Sequence, residues 1–176
     1  MAESLHISWC GDRGRAHELA NFFARNVDPE YISHSELQGR RAPWPGQWHS
    51  NLVQILQDEI EPRLAATRDG APEVTSRPIL VAEENGTVVA LAFVTFAGTA
   101  TVPFANIEDL IVAPARRGRG IGKVLMNWIA TEALARNICR LFLESGINNE
   151  RAHHFFEREG FHITSVVMMR SLRTHD

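Results

Sequence analysis

Ile107-Glu108-Asp109-Leu110-Ile111-Val112, Ala113-Pro114-Ala115-Arg116 and Arg117-Gly118-Arg119-Gly120-Ile121-Gly122-Lys123 form the stretch on which the reading of this 176-residue chain turns. The first six residues are mostly β-branched or apolar, with two acids set among them, and read as a strand. Pro114 ends it, because proline cannot donate to a ladder. Past the glycines the apolar residues Ile121, Val124, Leu125, Trp128, Ile129 and Ala133 fall at helical spacing, and predict a helix to about Arg136. Small residues feeding a helix start leave free N–H groups at the positive end of the helix dipole, where a diphosphate can rest. Arg116, Arg117, Arg119 and Lys123 add charge there. A Walker A loop is excluded because Val124 follows Lys123 and Arg117 stands where its first glycine belongs. A dinucleotide fingerprint is excluded because Gly118, Gly120 and Gly122 have the wrong spacing. A tight turn needing glycine only for its backbone is the bland alternative.

Outward from this stretch, Asn85-Gly86 between apolar runs predicts a hairpin joining Ile79–Ala82 to Thr87–Thr95. The uncharged run Thr87 to Asn106 is broken by Gly98 and Pro103, so two strands explain it better than a membrane span. Upstream, Leu5–Trp9 reads as a first strand. Asp12 is a candidate cap for a helix carrying Leu19, Ala20 and Phe23. Ser50 is a candidate cap for a second helix with Leu52, Ile55, Leu56 and Ile60 inward, which Pro62 should kink or shorten. Thr67 to Arg77 reads as an exposed loop. Downstream, Cys139–Leu143 reads as a strand, Asn148 or Asn149 as the cap of a short helix that Gly160 ends, and Ile163–Leu172 as a last strand. The order of elements predicts one α/β domain of α+β layered type over residues 1–176.

A formal net charge of −3 gives no global nucleic-acid footprint, so neither nucleic acid nor membrane is an expected partner. Cys10 and Cys139 lie far apart with no Cys-x-x-Cys, which reads as free buried thiols in a reducing, cytoplasmic setting. The first residues lack the basic and apolar regions of a signal peptide. No His-Glu-x-x-His or similar cluster occurs, so no metal site is expected.

The Arg-x-x-Gly-x-Gly order from Arg117 through Gly120 to Gly122 resembles the acyl-coenzyme A loop of the GCN5-related N-acetyltransferases. Asn149-Glu150-Arg151-Ala152-His153-His154-Phe155-Phe156-Glu157-Arg158-Glu159-Gly160-Phe161 resembles the segment that closes the same family. The resemblance covers roughly residues 78–172. The resemblance implies a mixed, mostly antiparallel central sheet with helices on both faces and two splayed strands. Residues 1–77 would form a helical acceptor side, and 78–172 the part that binds acetyl-coenzyme A. The cofactor would lie along Leu110, Ile111 and Val112, with its diphosphate on the amides of Arg117, Gly118, Arg119, Gly120, Ile121, Gly122 and Lys123. Asn149, Ala152, Phe156 and Arg158 would line the other wall. A small primary amine is the implied acceptor and a homodimer the implied assembly. A protein lysine or N-terminus is a rival acceptor, and a coenzyme A sensor without turnover a rival of another class.

An ammonium must lose a proton before it attacks, and a carboxylate in a partly dry groove can take it directly or through water. Glu108 is the candidate, and its order Ile-Glu-Asp-Leu-Ile-Val resembles the polyamine-acetylating branch; His153 after Ala152 hints at aminophosphonate acetylation. Its bland alternative is pairing with a basic residue. By strand alternation Glu108 shares a face with Leu110 and Val112, and Asp109 one with Ile107 and Ile111. Phe156 departs from the tyrosine common in the family, so the proton for the leaving thiolate needs another source. Tyr31, His34, Glu36 and Trp44 are the candidate acceptor residues, because aromatics with an acid suit a cationic amine.

Overall fold

The computed structural model describes residues 4–67, 75–99 and 101–172. Five strands, β1 (Leu5–Cys10), β2 (Ile79–Glu84), β3 (Thr87–Gly98), β4 (Pro103–Val112) and β5 (Leu141–Leu143), form one sheet in that spatial order. Every neighbouring pair is antiparallel except β4 and β5, which are parallel. This is the mixed, mostly antiparallel layered α/β fold expected. The Asn85-Gly86 hairpin forms with both residues at positive φ, 53° and 74°, the backbone a two-residue turn between twisted strands requires.

Helices α1 (Ala16–Asn26), α2 (His34–Gln38) and α3 (Leu52–Ala66) belong to the first half of the chain. Leu19 and Phe23 of α1 and Leu56, Ile60 and Leu64 of α3 pack on Ile79, Val81, Leu91, Phe93 and Ile111. On the opposite face α4 (Ile121–Leu134) packs Leu125, Met126 and Ile129 against Leu80, Ala82, Ala92 and Val94. Each fully buried Leu, Ile or Phe here is worth about 1.5–3 kcal/mol relative to exposure, so the sheet is held from both sides. The last helix, α5 (Glu150–Arg158), lays Phe155 and Phe156 against the α4 layer. Asn149 caps it by accepting from Ala152 N, and Gly160 follows it at φ 90°.

Several local expectations change. Asp12 caps a single 3-10 turn, Arg13–Arg15, and α1 starts only at Ala16. Asn51 rather than Ser50 precedes α3, which runs through Pro62 to Ala66. The buried Ile60, Arg63 and Leu64 on either side of the proline keep that last turn against the sheet. Val124 points outward from α4, 46% exposed, because its position falls off the buried Ile121–Leu125–Ile129 stripe. Cys10 is buried but Cys139 is exposed. Most of the 67–77 loop, residues 68–74, lies outside the described residues; Ser76 bridges to Phe96. The strand expected over Ile163–Leu172 does not form: the segment has no regular structure and no strand partner among the described residues.

Alternation along β4 is also broken. The register shifts between Phe93 and Val94, so that Phe93 faces Asp109 while Val94 faces Ile107. Glu108 is the extra residue of this β-bulge. Ile107 packs with the α4 layer and Ile111 with the α1–α3 layer. Glu108 and Asp109 therefore both reach partners on the α1–α3 side instead of dividing between the faces.

Candidate active site

Strands β4 and β5 are hydrogen-bonded only at Ala105, Asn106 and Ile107, whose partners are Leu141, Phe142 and Leu143. Beyond that point β4 runs on to Val112 paired with β3 only, and a groove of about 1080 Å³ opens along its other edge. Leu110, Ile111 and Val112 line one side; Asn149, Ala152, Phe156 and Arg158 line the other. Gly118, Gly120, Ile121, Gly122 and Lys123 close the end. Gly120 is the residue before α4, at φ 82°. The amides from Gly120 to Lys123 open the helix, where no preceding turn offers a carbonyl, and the first ladder bond is Val124 N to Gly120 O at 3.0 Å. Gly122 is needed for space as well: a Cβ there would stand 3.2 Å from the Phe155 ring. These features fit the diphosphate and extended arm of a coenzyme A.

The loop's arginines are committed to the protein itself. Arg117 donates from Nε to Val112 O and from a terminal nitrogen to Asn26 O, both at 3.1 Å, tying α1 to β4. Its amide bonds Pro114 O at 3.3 Å. Arg116 Nε lies 2.7 Å from the buried Glu84 carboxylate, and an Arg119 nitrogen 3.7 Å from it. The first contact is an ion pair without hydrogen-bond alignment. Arg119 lines neither cavity. Lys123, Arg151 and Arg158 supply the groove's cationic side chains beside Arg116 and Arg117.

A second cavity of about 460 Å³ lies on the α2–α3 side, lined by Glu36, Glu59, Glu108, Asp109 and Glu144 with Arg41, Arg63 and Arg77. Five carboxylates face three guanidinium groups, so the space favours cations. Glu108 is ion-paired with Arg63 and with Arg77 at 3.3 Å, and accepts from Thr95 Oγ1. Burial alone would raise its proton affinity. Arg63, the Thr95 hydroxyl and Arg77 together outweigh that and hold the carboxyl below its ordinary value. Burial works in turn against the charge of Arg63, and Glu108 offsets only part of it.

Asp109, 1% exposed at its side chain, pairs with Arg41 at 3.0 Å. The Tyr31 hydroxyl donates to Asp109 Oδ1 at 2.9 Å and accepts from the Leu110 amide at 3.3 Å. Burial and then Asp109 push the phenol's pKa well up, so Tyr31 stays protonated. Glu36 lies under the cavity and caps α2 through the Ser33 amide. His34 Nδ1 is 3.4 Å from Glu144, which also accepts from Ser35 Oγ at 2.5 Å. Trp44 sits in a turn bridged to Gln47 and lines neither cavity.

The two cavities share Glu108 and Glu144. Glu144 escaped the sequence reading. Its signal was slight: the acid that ends the apolar run Leu141-Phe142-Leu143, at the point where β5 leaves β4. Arg41 and Arg63, which pair with Asp109 and Glu108, gave no signal at all. Among the described residues no group of His, Cys, Asp and Glu has the placement of a metal site. No described helix is long and apolar enough to cross a membrane.

With this geometry in view, comparison with known proteins is direct. The profile of the Acetyltransferase (GNAT) family matches residues 37–161. A streptothricin acetyltransferase from Streptomyces lavendulae is 37% identical over 112 residues, 62% of this chain and 57% of that protein. The match therefore spans little more than half of the relative's length. Among solved structures, an aminoglycoside antibiotic 6'-N-acetyltransferase from Acinetobacter baumannii superposes at TM-score 0.65 with 16% identity, covering 98% of this chain and all of that one. A ribosomal-protein-alanine N-acetyltransferase from Brucella melitensis gives 0.62 with 18% identity over 96% of this chain and all of that one. At such identities these likenesses speak for the fold alone.

Proposed function

Because this chain belongs to the GNAT acetyltransferase family, we propose that it moves an acetyl group from acetyl-coenzyme A directly onto a primary amine of a small, multiply charged cation. The observation that carries this reading is the meeting of a diphosphate-compatible groove and an acid-rich cavity at Glu108 and Glu144. The bound cofactor supplies an activated acetyl thioester; the protein supplies the rest. The opening amides of α4 and Lys123 hold the diphosphate. The unpaired edge of β4 from Leu110 to Val112 aligns the arm, with Asn149, Ala152, Phe156 and Arg158 opposite. Arg117 acts indirectly by bracing the loop, and Arg116 and Arg119 balance Glu84.

On the acceptor side Glu108 receives the ammonium proton, directly or through water. Arg63 and Arg77 keep its carboxylate charged, so it holds the abstracted proton weakly and passes it to solvent. Glu144 stands at the same junction and shares that path, with His34 3.4 Å from it; Glu36 lines the acceptor cavity and Tyr31 the cofactor groove. Phe156 has no proton to give, and Tyr31 retains its own, so water protonates the leaving thiolate. Much of the rate then comes from alignment. The streptothricin acetyltransferase relative and the excess of carboxylates favour an amine-bearing antibiotic as acceptor; polyamines and aminoalkylphosphonates belong in the same test.

Mixing the protein with acetyl-coenzyme A and such a panel, and following free thiol, decides the matter. Thiol release with a small polycation is expected. Release only with peptides points to a protein acceptor. Tight cofactor binding without release points to a sensor, the reading that Phe156 favours. Glu108→Gln should lower kcat by about 100-fold or more at neutral pH and much less in alkali, where free amine is abundant. An equal loss at every pH assigns Glu108 to positioning.

A further inference from the structure

The three arginines of the acid-rich cavity differ in one respect. Arg41 and Arg63 are 11% and 5% exposed at their side chains, whereas Arg77 is 62% exposed. The main chain on either side of Arg77 is fastened to β3. Ser76 N donates to Phe96 O at 3.2 Å, Phe96 N to Ser76 O at 2.8 Å, and Val94 N to Pro78 O at 3.1 Å. From that fixed point the long side chain reaches out to Glu108. One terminal nitrogen lies 3.3 Å from both carboxylate oxygens, longer than the roughly 2.7–2.9 Å of a strong charge-assisted bond. The contact is a loose, solvent-screened ion pair, of the class that contributes little.

Glu108 can lose this partner and stay ionised. Burial raises the proton affinity of its carboxyl, and Arg63 and the Thr95 hydroxyl count for more against that than Arg77 does. With Arg77 turned into solvent, the five carboxylates that line the cavity face two guanidinium groups, Arg41 and Arg63, instead of three. The space left beside Glu108 is then short of one positive charge, and it is the space that an acceptor's ammonium must enter to reach that carboxylate.

We propose that the Arg77 guanidinium is a placeholder for the acceptor: it occupies the cation position on Glu108 in the empty protein and swings into solvent as the ammonium takes its place. The inference rests on the acceptor reading of this cavity. It makes Arg77 a specificity-determining residue. A cation can replace a guanidinium on a carboxylate, and a neutral or anionic molecule cannot. The apparent affinity for any acceptor is then the affinity of the open site reduced by the fraction of time that Arg77 stands aside.

The parent chain, Arg77→Met and Arg77→Lys, each titrated calorimetrically with spermidine and with streptothricin in the presence of coenzyme A, test this without turnover. Arg77→Met should bind a polycation about two- to fivefold more tightly than the parent, the factor by which a screened pair holds a site closed. Arg77→Lys, which keeps the charge, should bind as the parent does. In the parent, saturation with the polycation should speed solvent exchange of the Arg77 Nε–H signal. Unchanged or weaker binding by Arg77→Met, an Arg77 signal that saturation leaves untouched, or no binding of either polycation by any of the three proteins overturns the proposal. The expected binding pattern without thiol release from acetyl-coenzyme A would sink the catalytic reading and leave the placeholder standing. Thiol release with equal binding by the parent and Arg77→Met does the reverse.

Discussion

The hydroxyl of Tyr31, the chain's single tyrosine, links three parts of the site: it donates to Asp109, accepts from the Leu110 amide, and rides on a ring packed against Phe23 and Trp48. Removing it leaves a buried carboxylate short of one donor and a strand amide without its acceptor. Tyr31→Phe should therefore cost about 1–3 kcal/mol of stability, the scale for leaving buried partners unsatisfied. Urea unfolding would measure it, and an unchanged midpoint would show that water replaces the hydroxyl. Glu108 makes a prediction of opposite kind. Its proton affinity is lower in the folded protein than its ordinary value of 4.5, so the unfolded chain binds that proton first. The resulting stability is present above 4.5 and is lost as pH falls through the lower folded value. The stability gap between the parent chain and Glu108→Gln should thus narrow in acid. A gap constant with pH would contradict the pairing with Arg63 and Arg77.

Helix α4 and its loop show why some elements were legible in the sequence. The strand, the proline, the glycines and the apolar stripe are all local signals, and each local preference agrees with the fold. The Asn85-Gly86 turn and the Asn149 cap are legible for the same reason. The bulge at Glu108 was not, because it follows from the register between β3 and β4, a pairing across the sheet that no local pattern encodes. Arg63 was hidden differently. It occupies a buried position on α3 among Ile60 and Leu64, and its partner lies 45 residues away. The final strand does not form because Ile163–Leu172 has strand composition but no strand partner among the described residues. Gly120 tests the legible part. Its φ of 82° costs an L-residue about 1–2 kcal/mol, while no atom stands within 4 Å of a Cβ there. Gly120→Ala should therefore destabilise modestly through backbone strain, and weaken coenzyme A binding more than that loss alone implies if the opening amides grip the diphosphate. Calorimetry beside thermal unfolding separates the two effects; an unchanged affinity would remove the loop from the site.

Across the whole molecule, the helical first half and the sheet are joined by a buried ionic centre as well as by apolar contact. Arg41, between α2 and α3, reaches Glu59 of α3 at 2.7 Å and Asp109 of β4 at 3.0 Å, with its guanidinium 5.1 Å from the Phe23 ring. Against the cost of burial, Asp109 and Glu59 hold its pKa well above the ordinary value. Such a centre contributes less than its distances suggest, since both charges leave water. Its loss from one side is another matter, because the surviving charge stays buried. Asp109→Leu alone should cost about 3–5 kcal/mol. Arg41→Met alone should cost a comparable amount, by stranding Asp109. The double variant should recover part of the loss, since Asp109 and Arg41 go together, while Glu59 and the buried Glu36 still lose Arg41. Urea unfolding of all four proteins gives the coupling between the sites. Strong recovery would mean that the pair determines how the α2–α3 side seats on β4, so the double variant should fold yet acetylate poorly. Additive losses would mean that the contact is incidental, and that apolar packing of α1 and α3 alone sets the shape of the cavity above Glu108.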